Sequence, residues 1–97
     1  MSYLRRTAAA IRSAVPAALV PADSDDLFLL YAVLARAKGI AVQPQDVHDA
    51  WVAWMESRGE SHESMVPFAE LPAATREEDN PFVKAIREAA ERRDRSA

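Results

Sequence analysis

Apolar residues recur along this chain at the three- and four-residue spacing of a helix face, and proline, glycine and acidic clusters interrupt them. Tyr3, Leu4, Thr7, Ala8, Ile11, Ala14 and Val15 share one face, with Arg5, Arg6 and Arg12 off it. Pro16 stops that helix, and Val20-Pro21 extends the break. Asp23 or Ser24 can cap the next helix, predicted over 25–38, with Asp25 and Asp26 in its first turn. Its face holds Leu27, Phe28, Leu30, Tyr31, Leu34 and Ala35, and Lys38-Gly39 ends it. Ile40-Ala41-Val42 reads as a short extended connector. A third helix over 45–57 starts at Pro44 and carries Val47, Ala50, Trp51, Trp54 and Met55 on one face. Residues 59–66 form a polar loop containing His62. Pro67 to Leu71 reads as one short turn, and Pro72 opens another, running to about Asp79. Asn80-Pro81 kinks or restarts the chain before a helix over 81–92 with Phe82, Val83, Ile86, Ala89 and Ala90 inward. Residues 92–97 are a charged tail expected to fray. The pattern predicts one all-α domain over 1–97, a bundle of about four helices. Residues 1–40 form a helical hairpin in this reading, and a proline-containing turn joins the last two helices.

Composition agrees and removes several classes of function. Twenty of the 97 residues are alanine and only two are glycine, which favours helices and excludes a glycine-rich phosphate loop. With no cysteine, disulfides, thiolate nucleophiles and cysteine-bound zinc are excluded. No apolar run reaches the ~20 residues needed to span a bilayer, and no secretory signal pattern opens the chain, so a cytoplasmic protein is expected. The net charge of −3 is unevenly spread: residues 1–20 carry +3 and residues 40–80 carry −7. That acidic middle would repel a nucleic-acid backbone, so nucleic acid is not an expected partner.

Catalytic chemistry finds little to work with. His48 and His62 lie fourteen residues apart, and a zinc site would need both of them plus Glu63 or Asp46. A satisfied structural role for His48 is the simpler reading, and no metal or cofactor is expected. Glu77, Glu78 and Asp79 follow one another, so a helix would send them to different sides rather than pair them. Ser57, Ser61 and Ser64 lack the context of a nucleophile elbow. The chain is therefore not expected to be an enzyme. Trp51 and Trp54 share a face, and a second tryptophan in so small a chain can line a groove, where an indole stacks on a base.

Residues 46–51, Asp-Val-His-Asp-Ala-Trp, and 62–71, His-Glu-Ser-Met-Val-Pro-Phe-Ala-Glu-Leu, resemble the ryanodine-receptor repeat. Leu71, Arg76 and Asp79 continue its spacing, and the likeness covers roughly 44–90. The glycine-tryptophan and tyrosine-glycine stretch of that family is replaced here by Ser57 to Ser61, and the first forty residues match nothing in it. The whole chain is similar to small proteins of actinobacteria and their phages, and its arginine and alanine bias fits that likeness. The resemblance implies a non-enzymatic helical module that binds a nucleotide-like small ligand, in a cleft between paired repeats. By that likeness Trp51 stacks the ligand, Asp79 hydrogen-bonds it, Arg76 supplies charge and His48 orients the helix start. Two further expectations follow from the residues themselves. A homodimer would hide Leu27, Phe28, Tyr31, Trp51, Trp54, Phe68 and Phe82, which exceed what one small core holds. A protein-interaction module, such as a phage-encoded modulator of a host protein, would use the acidic 40–80 surface.

Overall fold

A computed structural model describes residues 2–96, and side-chain environments over 2–92. Helix α1, Tyr3–Ala14, begins at Ser2, whose Oγ accepts the Arg5 backbone N–H at 3.2 Å. It ends at Val15, which turns extended ahead of Pro16, as residues before proline prefer. A 3-10 turn, Ala17–Leu19, leads to Asp23 at φ 51°, a left-handed conformation that aspartate tolerates better than most side chains. Ser24 precedes α2, Asp25–Lys38, but its hydroxyl does not cap the helix. It is buried and donates to the Pro21 carbonyl at 2.7 Å, fastening the incoming loop instead. Gly39 terminates α2 at φ 58° and ψ −132°, a conformation that a side chain would strain.

The connector expected to be extended over 40–42 is a 3-10 turn, Gly39–Ala41. The Val42 N–H closes back on the Gly39 carbonyl at 3.3 Å, and the Val42 carbonyl accepts Arg87 Nε from the last helix at 2.9 Å. Helix α3, Pro44–Ser57, then starts on a carboxylate clamp. Asp46 accepts the Gln43 N–H on one oxygen and the Lys38 ammonium on the other, both at 2.8 Å, so the end of α2 is tied to the start of α3. Burial alone would raise the pKa of Asp46, but the Lys38 ammonium and the Gln43 N–H outweigh it and hold the carboxyl below its ordinary range.

Gly59, at φ 69°, follows α3, and a 3-10 turn, Phe68–Glu70, stands where a short turn is predicted. Helix α4, Ala73–Glu77, is brief, and α5, Asn80–Ser96, restarts the chain around Pro81. The N–H groups of Phe82 and Val83 both bond to the Asp79 carbonyl, at 3.1 and 3.0 Å; Pro81 sits in the first turn, where no N–H is required. Helix α5 continues to Ser96 through the tail expected to fray, and the side chains of residues 93–97 lie outside those described.

Helix α2 is central. It packs on α1, α3 and α5, and α1 also packs on α5. Ile11, Leu27, Phe28, Tyr31, Val42, Val47 and Ile86 form the innermost layer. Phe28, Tyr31 and Phe82 build an aromatic cluster, with Phe28 edge-on to Tyr31 at 5.4 Å and Tyr31 at 5.7 Å from Phe82. Tyr3 lies on the predicted stripe of α1 yet is exposed, with the Arg36 guanidinium 4.5 Å above its ring. The N-terminal arginines find acids within the chain: Arg12 meets Asp25 at 2.7 Å and Arg5 meets Asp26 at 3.9 Å. Of the residues that suggested a dimer, Leu27, Phe28, Tyr31 and Trp54 are buried, and Trp51, Phe68 and Phe82 are half-buried. The core of one chain thus takes up four of the seven residues on which that expectation rests. Among the described residues, no helix is long and apolar enough to cross a membrane.

Candidate functional site

Helices α2 and α3, the 60–66 loop and the segment from Leu71 to Phe82 close around a pocket of about 240 Å³. Leu27 and Tyr31 come from α2, and His48 and Trp51 from α3. The last two stand three residues apart, so they share one face of the helix, and their rings stack at 5.9 Å. His48 is buried; its Nε2–H donates to the Val66 carbonyl at 2.7 Å, and its ring lies 6.1 Å from Phe68. This histidine pins the returning chain onto α3. His62, from the loop, meets Trp51 edge to face at 5.4 Å. The Ser64 backbone N–H donates to His62 Nδ1 at 3.0 Å, which leaves Nε2 as the proton-bearing nitrogen of that ring.

Asp79 sits in the turn between α4 and α5. Its carbonyl starts α5, while the residue itself lines the pocket beside Glu78, Thr75 and Phe82. Among the described residues, none gives its half-buried carboxylate a hydrogen bond or an ion pair. Burial pushes the carboxyl up most; His48 pulls it down, Glu78 pushes it further up, and the result is about 6. The Tyr31 hydroxyl is likewise raised, by its own burial first and by the Asp79 charge second. No lysine or arginine is among the lining residues. The pocket is aromatic-walled and electronegative.

Three of the four residues named from sequence thus meet: His48, Trp51 and Asp79. Arg76 does not join them and lines a separate groove with Pro44, Phe68 and Asn80. The reason is local. Helix α4 ends at Glu77, so Arg76 and Asp79 never stand one turn apart on a common helix. Trp54, the other tryptophan, is core, and Arg58 covers its ring at 4.4 Å. Asp46, a candidate zinc ligand, is engaged by Lys38 and Gln43, and no three His, Asp or Glu side chains among the described residues gather as metal ligands do. Sequence reasoning missed Tyr31, His62, Glu78 and Phe82 as pocket residues. Tyr31 and Phe82 obey core periodicity, and His62 lies in a loop where periodicity carries no signal.

A family model described as Domain of unknown function (DUF7701) matches residues 2–91. No curated protein and no solved structure matches the chain. The resemblance to the ryanodine-receptor repeat is overturned by this result: no model of that repeat matches, and the matched span includes α1 and α2, which the repeat leaves unexplained. The shared marks have a local physical cause. A histidine bonded across a returning loop, a tryptophan one turn later and a proline-aromatic turn packed on that histidine serve to dock the loop on α3.

Proposed function

We propose, for a chain that belongs to the DUF7701 domain family over residues 2–91, a non-enzymatic module that binds one small organic molecule between α2, α3 and the start of α5. The observation supporting this reading is the convergence of His48, Trp51 and Asp79 on one cavity, which they share with Tyr31, His62 and Phe82. A half-buried carboxylate without a partner among the described residues works against folding, and groups so perturbed concentrate where a ligand completes them. At about 240 Å³ the pocket falls just under the ~300 Å³ at which pockets for drug-sized ligands begin. The ligand is then about one ring in size. A nucleotide-derived signal fits as a base or nucleoside stacked on Trp51 better than through its phosphates, which Glu78 and Asp79 would repel and Arg76 does not reach.

All the walls come from one chain, so this reading requires no second copy, and the homodimer is no part of it. The alternative, a protein-interaction module, rests on the acidic 40–80 span and on exposed Tyr3, Leu19, Val33, Ile40 and Val66, which come from separate segments. Two-dimensional NMR with a panel of small heterocycles, nucleosides, amines and carboxylates tests the choice. Binding is expected to move the Trp51 indole and His62 ring signals while leaving Trp54 in place. A panel that moves none of them at millimolar concentration refutes the pocket reading and puts the interaction module in its place.

A further inference from the structure

We propose that the pocket selects a small organic cation, a primary or methylated alkylammonium group, with Asp79 as its counter-charge and Trp51, Tyr31 and Phe82 as its aromatic surround. The inference rests on the small-ligand reading above and names the ligand class. Its first ground is the sign of the lining. Glu78 and Asp79 both border the cavity, whereas no lysine or arginine does. Arg76, three residues before Asp79, lines a separate groove with Pro44, Phe68 and Asn80, while Lys38 bonds Asp46, Arg58 meets Glu60 and Trp54, and Arg87 bonds the Val42 carbonyl.

The second ground is the kind of wall. Tyr31 and Phe82 lie 5.7 Å apart, and His48 and His62 flank Trp51 at 5.9 and 5.4 Å, so one cavity is bordered by rings on several sides. Aromatic faces carry negative quadrupole density that attracts cations, and an alkylammonium group also profits from their apolar area. The third ground is the carboxylate itself. Among the described residues Asp79 has no hydrogen-bond donor, so a ligand ammonium would supply one together with the opposite charge. An anionic ligand meets the opposite arrangement at every one of these points.

Choline, its uncharged isostere 3,3-dimethyl-1-butanol, propylammonium and propionate are the probes, titrated into the full chain by NMR and calorimetry at neutral pH. The two cations are expected to bind at the Trp51 and His62 signals about tenfold or more tighter than the isostere, and propionate not at all. Asp79→Asn should remove that preference, bringing choline to the level of the isostere while the isostere is unchanged. Glu78→Gln should weaken both cations by less, since Glu78 is the more exposed acid. Equal affinity for choline and its isostere, or unchanged choline binding in Asp79→Asn, overturns the cation assignment. Binding of neutral heterocycles at the same signals would then leave the pocket reading standing. If no probe and no panel member binds, both fall together.

Discussion

At neutral pH the Asp79 carboxylate is charged, half-buried and without a hydrogen-bond or ion-pair partner among the described residues, and burial is the main cause that lifts its pKa to about 6. In the unfolded chain an aspartate titrates near ~3.9. The folded value is the higher one, so the favourable contribution of the protonated form is complete below about pH 4 and is lost as pH rises through about 6. Tyr31 from α2, His48 from α3, His62 from the loop and neighbouring Glu78 border the same cavity and are unchanged in the variant. Asp79→Asn is therefore expected to match the wild type in urea denaturation at pH 4 and to exceed it at pH 8. The gain should be about 1–2 kcal/mol once solvent screening of a half-buried group is allowed for. The two tryptophans separate on the same scale. Trp54→Ala empties a core position and should cost about 3–5 kcal/mol, whereas half-buried Trp51→Ala should cost clearly less in the same denaturation experiment. A shared helical face reveals that both tryptophans point inward. Which of them borders empty space depends on the 60–66 loop that lies over Trp51, and that loop has no periodicity to read.

Elements are where caps and breakers speak plainly. The span predicted at 25–38 coincides with α2 because acids, a terminal base and a glycine all mark its ends. Gly39→Ala should cost about 1–3 kcal/mol in thermal or chemical denaturation through backbone strain alone, because the added Cβ would meet nothing within 4 Å. The connector after it was harder to read for a physical reason. Its turn closes through the Val42 N–H, and the Val42 carbonyl is held by Arg87 from the far end of the chain, a partner that no local pattern announces. Asp46 supplies the matching pH test at the start of α3. Its folded pKa is depressed, so its contribution is present above about pH 4 and disappears as pH falls further. Asp46→Asn should cost about 1 kcal/mol at pH 7, the typical worth of a cap, and this difference should vanish toward pH 2 in urea titrations.

For the whole molecule, the packing of α1, α3 and α5 on α2 buries Leu27, Phe28, Tyr31 and Trp54 and half-buries Trp51, Phe68 and Phe82, the residues that first suggested a dimer. Sedimentation equilibrium is expected to return a monomer at micromolar concentration; a stable dimer there would mean that exposed Tyr3, Val33 or Ile40 finds a second copy. The all-α class was legible because α1, α2, α3 and α5 each have an apolar stripe and a breaker at one end or both. The pocket was legible only in part. His48 and Trp51 are helix neighbours, but Asp79 reaches them through a turn between two helices, while Arg76, on α4 before that turn, lines another groove. The turn has one further effect, because Asp79 offers its carboxylate to the cavity and its carbonyl to the N–H groups of Phe82 and Val83. A ligand held by that carboxylate is expected to steady the first turn of α5, so that the amide hydrogens of Phe82 and Val83 exchange with solvent deuterium more slowly as the cavity fills.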